Sequence, residues 1–562
     1  MRWEISPPDQ DTVAGLAREV GVSNLLARLL ALRGIAQPAA AERFLHPALA
    51  HLHDPYLMAD MPAAVARLRR AIEEGEKILI YGDYDVDGTM AVVVLLTALR
   101  SLGATVDAYI PHRLTDGYGM RVPVIEQAHA GGYHVVLSVD TGIREQEVLE
   151  RARELGLDCI VTDHHLPKDH LPPACAILNP RRADCAYPEK NLSGVGVAFK
   201  LAQALLAERM TERQLESYLK IVCLGTIADV VPLVGENRVI ARFGLAGLRD
   251  PAQPGLAALI AVSGLEGREV TTGDVGFRLA PRLNAAGRME DARDVIELFT
   301  TSGAARARAI AERLDGLNRE RQLVEEQILA AIEGEMERRP EKAQRYTLVF
   351  SGEGWHRGVI GIAAQRAVDR YHRSALVIGV EDNVGVGSGR SIRGFHLLDA
   401  LTQTADLFDR FGGHAQAAGF AMAASRIPEL VARFEQHARE VLAPEDLEPV
   451  LRVDSEVRLD ELNWGIYEEL SQLEPFGFGN PTPVFAARGV RVPTPPRVLK
   501  EKHLKLRVAQ GATAFDALGW GMAERAVELR PGDAVDLAFT LDENSYQGER
   551  TLQLIMKDFR LR

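Results

Sequence analysis

KILIYGDYDVDGTMAVVVLLTAL, residues 77–99, reads as a short apolar strand, an acidic turn and a long apolar helix. That is the opening of a βα unit. Apolar runs at 106–110, 135–139 and 159–162 follow the first strand at 78–81, with helix-length segments at 89–102, 122–130 and 144–155 between them. Such alternation predicts an α/β fold with a parallel sheet, whose ligands lie beyond the carboxyl ends of the strands. Asp83, Asp85 and Asp87 stand at that end at i, i+2 and i+4, on one side of an extended chain. Three adjacent carboxylates repel one another unless a cation neutralises them; the bland alternative is a solvated acidic turn. DxDxDG also matches the first six positions of an EF-hand loop, but Val94 occupies the twelfth, where that loop needs a Glu.

Working outward, 562 residues suggest three or four domains. With 47% hydrophobic and 25% charged residues, the chain is neither disordered nor collagen-like. Its longest apolar stretch, 91–99, is far short of the roughly 20 residues that cross a bilayer. MRWEISPPDQ has no apolar signal core, and Cys159, Cys175, Cys185 and Cys223 show no CxxC spacing. These features predict a cytoplasmic protein with no membrane segment. The net charge of −13, from 65 basic and 78 acidic residues, argues against a general nucleic-acid coat. It leaves room for a nucleic-acid enzyme with local basic patches.

Five regions follow from the pattern. Residues 1–75 read as short helices (11–20, 24–34, 63–74) broken by prolines, and 76–302 hold the βα repeat. Residues 303–340 form a long charged helix striped by Ile310, Leu314, Leu317, Val324, Ile328 and Ala331, with one gap at Arg321. A second α/β region, 341–450, has strands at 347–350 and 376–380, a Gly-rich stretch at 385–389, and helices on either side of GGHAQAAG (412–419). In 451–562, β-like runs at 484–492, 504–508, 534–540 and 551–555 predict a small β-barrel.

More ligand-type residues fall at the expected edge of the first sheet. Asp140 ends the third strand in LSVDTG, Asp163, His164 and His165 follow the fourth in VTDHHLP, and Asp229 lies in LGTIADVVPL. Each alone is as well explained by a cap or a core residue; together they suit Mn²⁺ or Mg²⁺ better than zinc. So many carboxylates imply two cations, a pair suited to in-line displacement at phosphorus. No GxxxxGK[ST] is present, so the chemistry points to phosphoester or phosphoanhydride hydrolysis.

GDYDVDG, SVDTG, TDHH and GTIADVVPL resemble the four motifs of the DHH phosphoesterases, and GGHAQAAGF resembles that of the accompanying DHHA1 domain. PRLNAAGRM (281–289) and GSGRSI (387–392) narrow the resemblance to the bacterial single-strand-specific 5′→3′ DNA exonucleases of that superfamily, across essentially the whole chain. The resemblance implies a DHH catalytic domain and a DHHA1 domain joined by the long helix, followed by an OB-like barrel. It implies two divalent cations, Mn²⁺ or Mg²⁺, held by Asp85, Asp87, Asp140, His164 and Asp229, with Asp140 shared. His165 would face the scissile phosphate and Asp163 would orient His164. Many relatives carry a His where this chain has Tyr81, so Asp83 or water would substitute. Arg113, which follows the second strand in YIPHRLTDGYG, would grip a 5′-terminal phosphate with Arg282, Ser391 and Arg393, and His414 would contact substrate. Backbone N–H groups of GVGSGRS offer further anion donors. The implied partners are single-stranded DNA, a single-strand-binding protein and a helicase, in recombination and repair.

The barrel region carries the densest basic patch. Arg488, Arg491, Arg497, Lys500, Lys502, Lys505 and Arg507 face a single acid, Glu501, across 20 residues. An OB-type surface tracks single strands with such cations and with stacking aromatics, here Phe515 and Trp520. Two rival readings remain: a DHH phosphodiesterase for short oligonucleotides or cyclic dinucleotides, and a non-catalytic single-strand-binding protein. The barrel weighs against the first, and the complete acid–histidine set against the second.

Overall fold

The computed structural model describes all residues except Ser6, Leu114, Thr115, Tyr118 and Gln547, and the side chains of Glu208 and Tyr546. Part of the YIPHRLTDGYG segment thus lies outside the described residues. The chain forms two compact units, one of Asp54–Asp229 with Phe243–Pro449, the other of Met1–His53 with Val230–Arg242 and Val450–Arg562.

The first unit contains the βα repeat as a five-stranded parallel sheet. Its order is Thr105–Tyr109, Lys77–Tyr81, Tyr133–Val139, Asp158–Thr162 and Ala176–Leu178. The fifth strand has only three residues, too few to show a period in the sequence. The helix Val86–Ser101 is buried almost all round, which is why its apolar run shows no amphipathic stripe. The long helix Ala304–Arg338 shows what fills the gap in its stripe. Arg321 is itself buried there, with Nη1 donating to Glu325 Oε2 at 2.5 Å and Nη2 to Asn318 Oδ1 at 2.9 Å.

The second α/β region forms a mixed sheet in the order Arg410–Gly413, Ala417–Ala423, Val384–Arg390, Ser374–Glu381, Thr347–Glu353. GGHAQAAG lies in a β-hairpin, with Gly412 opposite Gly419, and the expected helices, Leu397–Thr402 and Ile427–Val441, stand on either side of it. One expectation is corrected here. The Gly-rich stretch is a strand in the middle of the sheet rather than a phosphate-cradling loop. Glycine is needed because a Cβ at Gly387 would lie 2.1 Å from the Phe420 ring.

In the other unit, Phe485–Arg491, His503–Gln510, Thr513–Gly519, Ala534–Tyr546 and Glu549–Leu561 make a barrel closed by the Arg491–Ala509 pairing. Its third and fifth strands pair in parallel and the other barrel pairs are antiparallel, the OB arrangement. Residues 1–53 are not purely helical, because Arg2–Ile5 pairs in parallel with Val450–Val453. Leu26, Leu30 and Phe44 share one core with Leu459, Phe485 and Phe559. Arg238 ties this unit together from within. Buried over the Phe44 ring, it donates to the carbonyls of Phe44, Leu473, Gln472 and Glu474 at 2.7–2.9 Å. Among the described residues no helix is long and apolar enough to cross a membrane.

Arg238→Met takes its guanidinium from those four carbonyls, of which Leu473 keeps Asn480 Nδ2 at 2.7 Å, and each carbonyl left unsatisfied costs about 1–3 kcal/mol. The urea midpoint of the barrel unit is expected to fall by the equivalent of at least about 3 kcal/mol. Unchanged denaturation would show that the carbonyls find other donors.

Candidate active site

The acidic residues converge where the parallel strands end. Asp83 and Asp85 occupy the turn after Lys77–Tyr81, and Asp85 caps Val86–Ser101 through Gly88 N–H at 3.0 Å. Asp87 lies in the first turn of that helix, its carboxylate accepting from Gly194 N–H (2.6 Å) and Val195 N–H (2.9 Å) at the start of Gly194–Leu206. Asp140 follows Tyr133–Val139 with φ of 58°, a left-handed conformation that Asp tolerates better than most residues. Its carboxylate leaves no room for a side chain at position 194, where a Cβ would meet Asp140 Oδ1 at 2.6 Å. Asp229 caps the C-terminus of Glu212–Ala228.

His164 Nε2 lies 3.1 Å from Asp140, 3.6 Å from Asp229 and 3.8 Å from Asp87. Ligand atoms of Asp87, His164 and Asp229 lie within 4.8 Å of one another, as do those of Asp83, Asp85 and Asp140. A third such set joins Asp140 to His164 and His165. Asp140 thus stands between two ligand groups, and Asp83 joins one of them. Burial first, then neighbouring carboxylates, push the acids of Asp83, Asp87, Asp140 and Asp229 upward. Asp83 Oδ1 and Asp140 Oδ1 are buried without a hydrogen bond. Orphaned oxygens in a mostly carboxylate set with imidazole fit a pair of Mn²⁺ or Mg²⁺ ions. Tyr81 adds no ligand, since its hydroxyl donates to the Gly119 carbonyl at 3.2 Å.

Asp163 orients the other histidine than the one anticipated. His165 Nδ1 donates to Asp163 Oδ1 at 2.7 Å, while His164 gives Asp163 only its backbone N–H. The reason is local: the carboxylate caps the turn that follows the strand, also accepting from His165 N–H and Ile143 N–H. Burial opposes ionisation of Asp163, but the His165 contact outweighs it and holds the acid at about 2.

Beside the acids lies a concentration of arginines. Arg113 stacks over Tyr84 at 4.8 Å, and Arg288 sits within electrostatic reach of Arg113, Arg321, Arg390 and Asp85. Burial and the three like charges push Arg288 down to about 9, and burial and Arg113 lower Arg390. Ser388 Oγ and Arg390 Nη2 both flank Gly361, in the first turn of Ile360–Tyr371. Clustered guanidiniums, a hydroxyl and a helix N-terminus make an anion pocket.

Two of the anticipated phosphate contacts, Arg282 and Ser391, are engaged by other groups of the protein. Arg282 is held by Asp315 at 2.9 Å and by the Arg278 carbonyl. Ser391 is buried, its hydroxyl donating to the Phe395 carbonyl at 2.7 Å beside Ser374 Oγ. Arg393 is exposed on the turn beyond. Arg288, Ser388 and Arg390, from the same two motifs, are the ones that lie together beside the acids. His414 lies at the hairpin tip within electrostatic reach of Arg390, Arg144 and His165. Arg181 was missed altogether; it lies near His164 and Asp229, just after the three-residue strand that the sequence did not reveal.

On the barrel, Arg488 pairs with Glu456 and Asp536, and Lys505 and Arg507 share Asp516. Arg491, Arg497, Lys500 and Lys502 are exposed and unpaired among the described residues. Phe515 is buried in the barrel core, which removes it as a stacking platform, whereas Trp520 is 59% exposed beside His503.

Two substitutions test the metal reading. Asp140→Asn relieves like-charge repulsion and is expected to raise the unfolding midpoint of metal-free protein by about 2–4 °C. It also removes the stabilisation that Mn²⁺ gives the wild type. Gly194→Ala forces a methyl group onto Asp140 and is expected to weaken Mn²⁺ binding at least about tenfold by calorimetry.

The chain matches the DHH family, N-terminal domain over residues 77–226, the DHHA1 domain over 344–440 and the RecJ OB domain over 453–558. It is 38% identical to the single-stranded-DNA-specific exonuclease RecJ of Bacillus subtilis over 562 residues, covering 99% of this chain and 70% of that protein. The crystal structure of Thermus thermophilus RecJ with Mn²⁺ superposes with a TM-score of 0.85 at 31% identity, covering 100% of this chain and 79% of that one. The Mg²⁺ complex of the same protein gives a TM-score of 0.78 at 29% identity, over 100% and 78% of the two chains.

Proposed function

The chain belongs to the RecJ family of single-stranded-DNA-specific exonucleases, and on that premise we propose that it removes 5′-mononucleotides from the 5′ end of single-stranded DNA in recombination and repair. The observation that carries this reading is the placing of an anion pocket, Arg113–Arg288–Ser388–Arg390, beside the acidic cluster, with Arg288 in reach of Asp85. A 5′-terminal phosphate held there would leave the next phosphodiester over the acids, which is the register that release of 5′-mononucleotides requires.

Two Mn²⁺ or Mg²⁺ ions, held by Asp83, Asp85, Asp87, Asp140, His164 and Asp229, would supply water activation and charge neutralisation. The protein's own groups do the positioning. The N–H groups of Gly194 and Val195 fix the Asp87 carboxylate, and the Asp163 hydrogen bond fixes the ring of His165 toward the phosphate. Arg113, braced on Tyr84, and Arg390 grip the terminal phosphate. His414 contacts the strand from the hairpin. On the barrel, the four unpaired cations and Trp520 hold DNA that has yet to be cut. The same membership supports cooperation with a single-strand-binding protein and a helicase, in the cytoplasm.

The decisive assay follows 3′-labelled single-stranded DNA with Mn²⁺. Wild type is expected to shorten it from the 5′ end and Asp140→Ala to leave it intact; internal cuts or 3′ trimming would overturn the polarity. Arg390→Ala should lose about tenfold or more of the preference for a 5′-phosphate over a 5′-hydroxyl end. For the barrel, four rather than seven free cations predict a logarithmic salt slope near −3 rather than −5.

A further inference from the structure

Beside the acids, the catalytic unit carries a groove of about 700 Å³ that takes no part in holding cations or the terminal phosphate. Ile143, Arg144, Gln146, Lys168, Asp169 and His170 line it. They come from two neighbouring loops at the carboxyl edge of the parallel sheet, one after Tyr133–Val139 and the other after Asp158–Thr162. The cations tie these loops to each other. Arg144 Nε donates to the Leu166 carbonyl at 2.8 Å, and Lys168 Nζ donates to the Arg144 carbonyl at 3.1 Å. Neither makes an ion pair among the described residues. Asp169 lines the groove and Glu145 lies within electrostatic reach of Lys168, but neither acid pairs with a groove cation. Both terminal nitrogens of Arg144 and the remaining N–H groups of Lys168 therefore stay available, on side chains already anchored at one point.

The groove continues directly from the catalytic residues. Lys168 stands three residues beyond His165. Arg144 follows Ile143, whose N–H donates to the same Asp163 carboxylate that holds the His165 ring. Arg144 lies within electrostatic reach of both His165 and His414. Arg288 and Arg390 group instead with Arg113. His165 and His414 thus lie between two sets of cations, one in the terminal-phosphate pocket and one in the groove. Apart from Ile143 the lining is polar or charged, which suits a phosphate backbone rather than an apolar ligand. Fixed cations along an open groove are the usual means of tracking a single strand. Leu166 and Leu171, 58% and 38% exposed next to the lining residues, offer apolar surface on which a base can rest.

We propose that Arg144 and Lys168 hold the phosphate that follows the scissile one, so that the strand is gripped on both sides of the bond being cut. This rests on the exonuclease reading given above and adds a register to it. The terminal phosphate sits at Arg390, the scissile phosphate over the acids, and the next phosphate in the groove. Arg144 and Lys168 touch the strand but not the reacting atoms, so they are positioning residues. A third nucleotide is then needed for full engagement, because only its phosphate reaches them.

The test compares the full-length wild type with the double variant Arg144→Gln, Lys168→Gln; both side chains are exposed, so the fold does not depend on them. The substrate pdTdT has no phosphate beyond the scissile one, and pdTdTdT has one. Wild type is expected to favour the trinucleotide by about tenfold in kcat/KM, and the double variant to lose most of that preference through KM. A dinucleotide with an added 3′-phosphate, pdTdTp, should recover the preference in wild type alone. Equal preference in the two proteins overturns the groove. So does a variant that keeps the preference and instead weakens inhibition by 5′-dTMP, since the groove would then hold released product. Binding makes the test independent of cleavage. In Asp140→Ala protein, titrated with a 5′-phosphorylated, 3′-labelled dodecathymidylate, loss of the two cations should make the logarithmic salt slope shallower by about 1.4. An unchanged slope overturns the groove. If the slope changes as expected but wild type releases no mononucleotide, the groove stands and the exonuclease reading fails.

Discussion

Burying like charges is the constraint around which the catalytic unit is organised. Two full charges about 4 Å apart repel by about 4 kcal/mol even at an effective dielectric of 20. Six carboxylates, those of Asp83, Asp85, Asp87, Asp140, Asp163 and Asp229, meet in one pocket. The fold offsets part of this with fixed dipoles: N–H groups of Gly194 and Val195 on Asp87, of Gly88 on Asp85, and of Ile143, His164 and His165 on Asp163. The remainder falls to oxygens that no protein group satisfies, and these are the ones that cations require. The same geometry fixes the sequence nearby, since Gly194 exists to admit Asp140, and Gly88 to admit Asp83, whose Cβ would be 2.7 Å from an added one.

The arginines beside this pocket pose the opposite problem and have the complementary solution. Arg288, Arg390 and Arg113 crowd one another, and a phosphate is the group that relieves them. Arg321, by contrast, is already satisfied by Glu325 and Asn318, so it stiffens the long helix and contributes charge rather than a free donor. One excess is negative and wants cations; the other is positive and wants an anion. A metal-loaded phosphodiester with a terminal phosphate answers both at once.

The acidic half of this site was legible in the sequence because a parallel sheet places its loops at one edge, so Asp83, Asp140, Asp163 and His164 could be assembled from strand order alone. The basic half was legible only to the level of the motif. PRLNAAGRM holds two arginines six apart in the helix Ala280–Met289, and at 3.6 residues per turn they point about 120° apart around it. Arg288 therefore turns inward while Arg282 turns to Asp315. In GSGRSI the alternation of a strand decides between Ser388–Arg390 and Ser391, and the stretch looked like a loop because glycine carries no strand propensity. Pairing of Arg2–Ile5 with Val450–Val453 spans nearly the whole chain, and no local pattern encodes it.

Net charge was the least informative quantity. At −13 the chain should repel DNA, yet at physiological ionic strength charges farther apart than about 8 Å are largely screened from one another. Only cations that reach a phosphate count, and they count only when no carboxylate already holds them. Asp516 alone occupies two of the seven barrel cations, and Glu456 and Asp536 a third. The free cations, Arg491, Arg497, Lys500 and Lys502, therefore set the most charge this face can bring to a phosphate backbone, whatever the net charge of the chain.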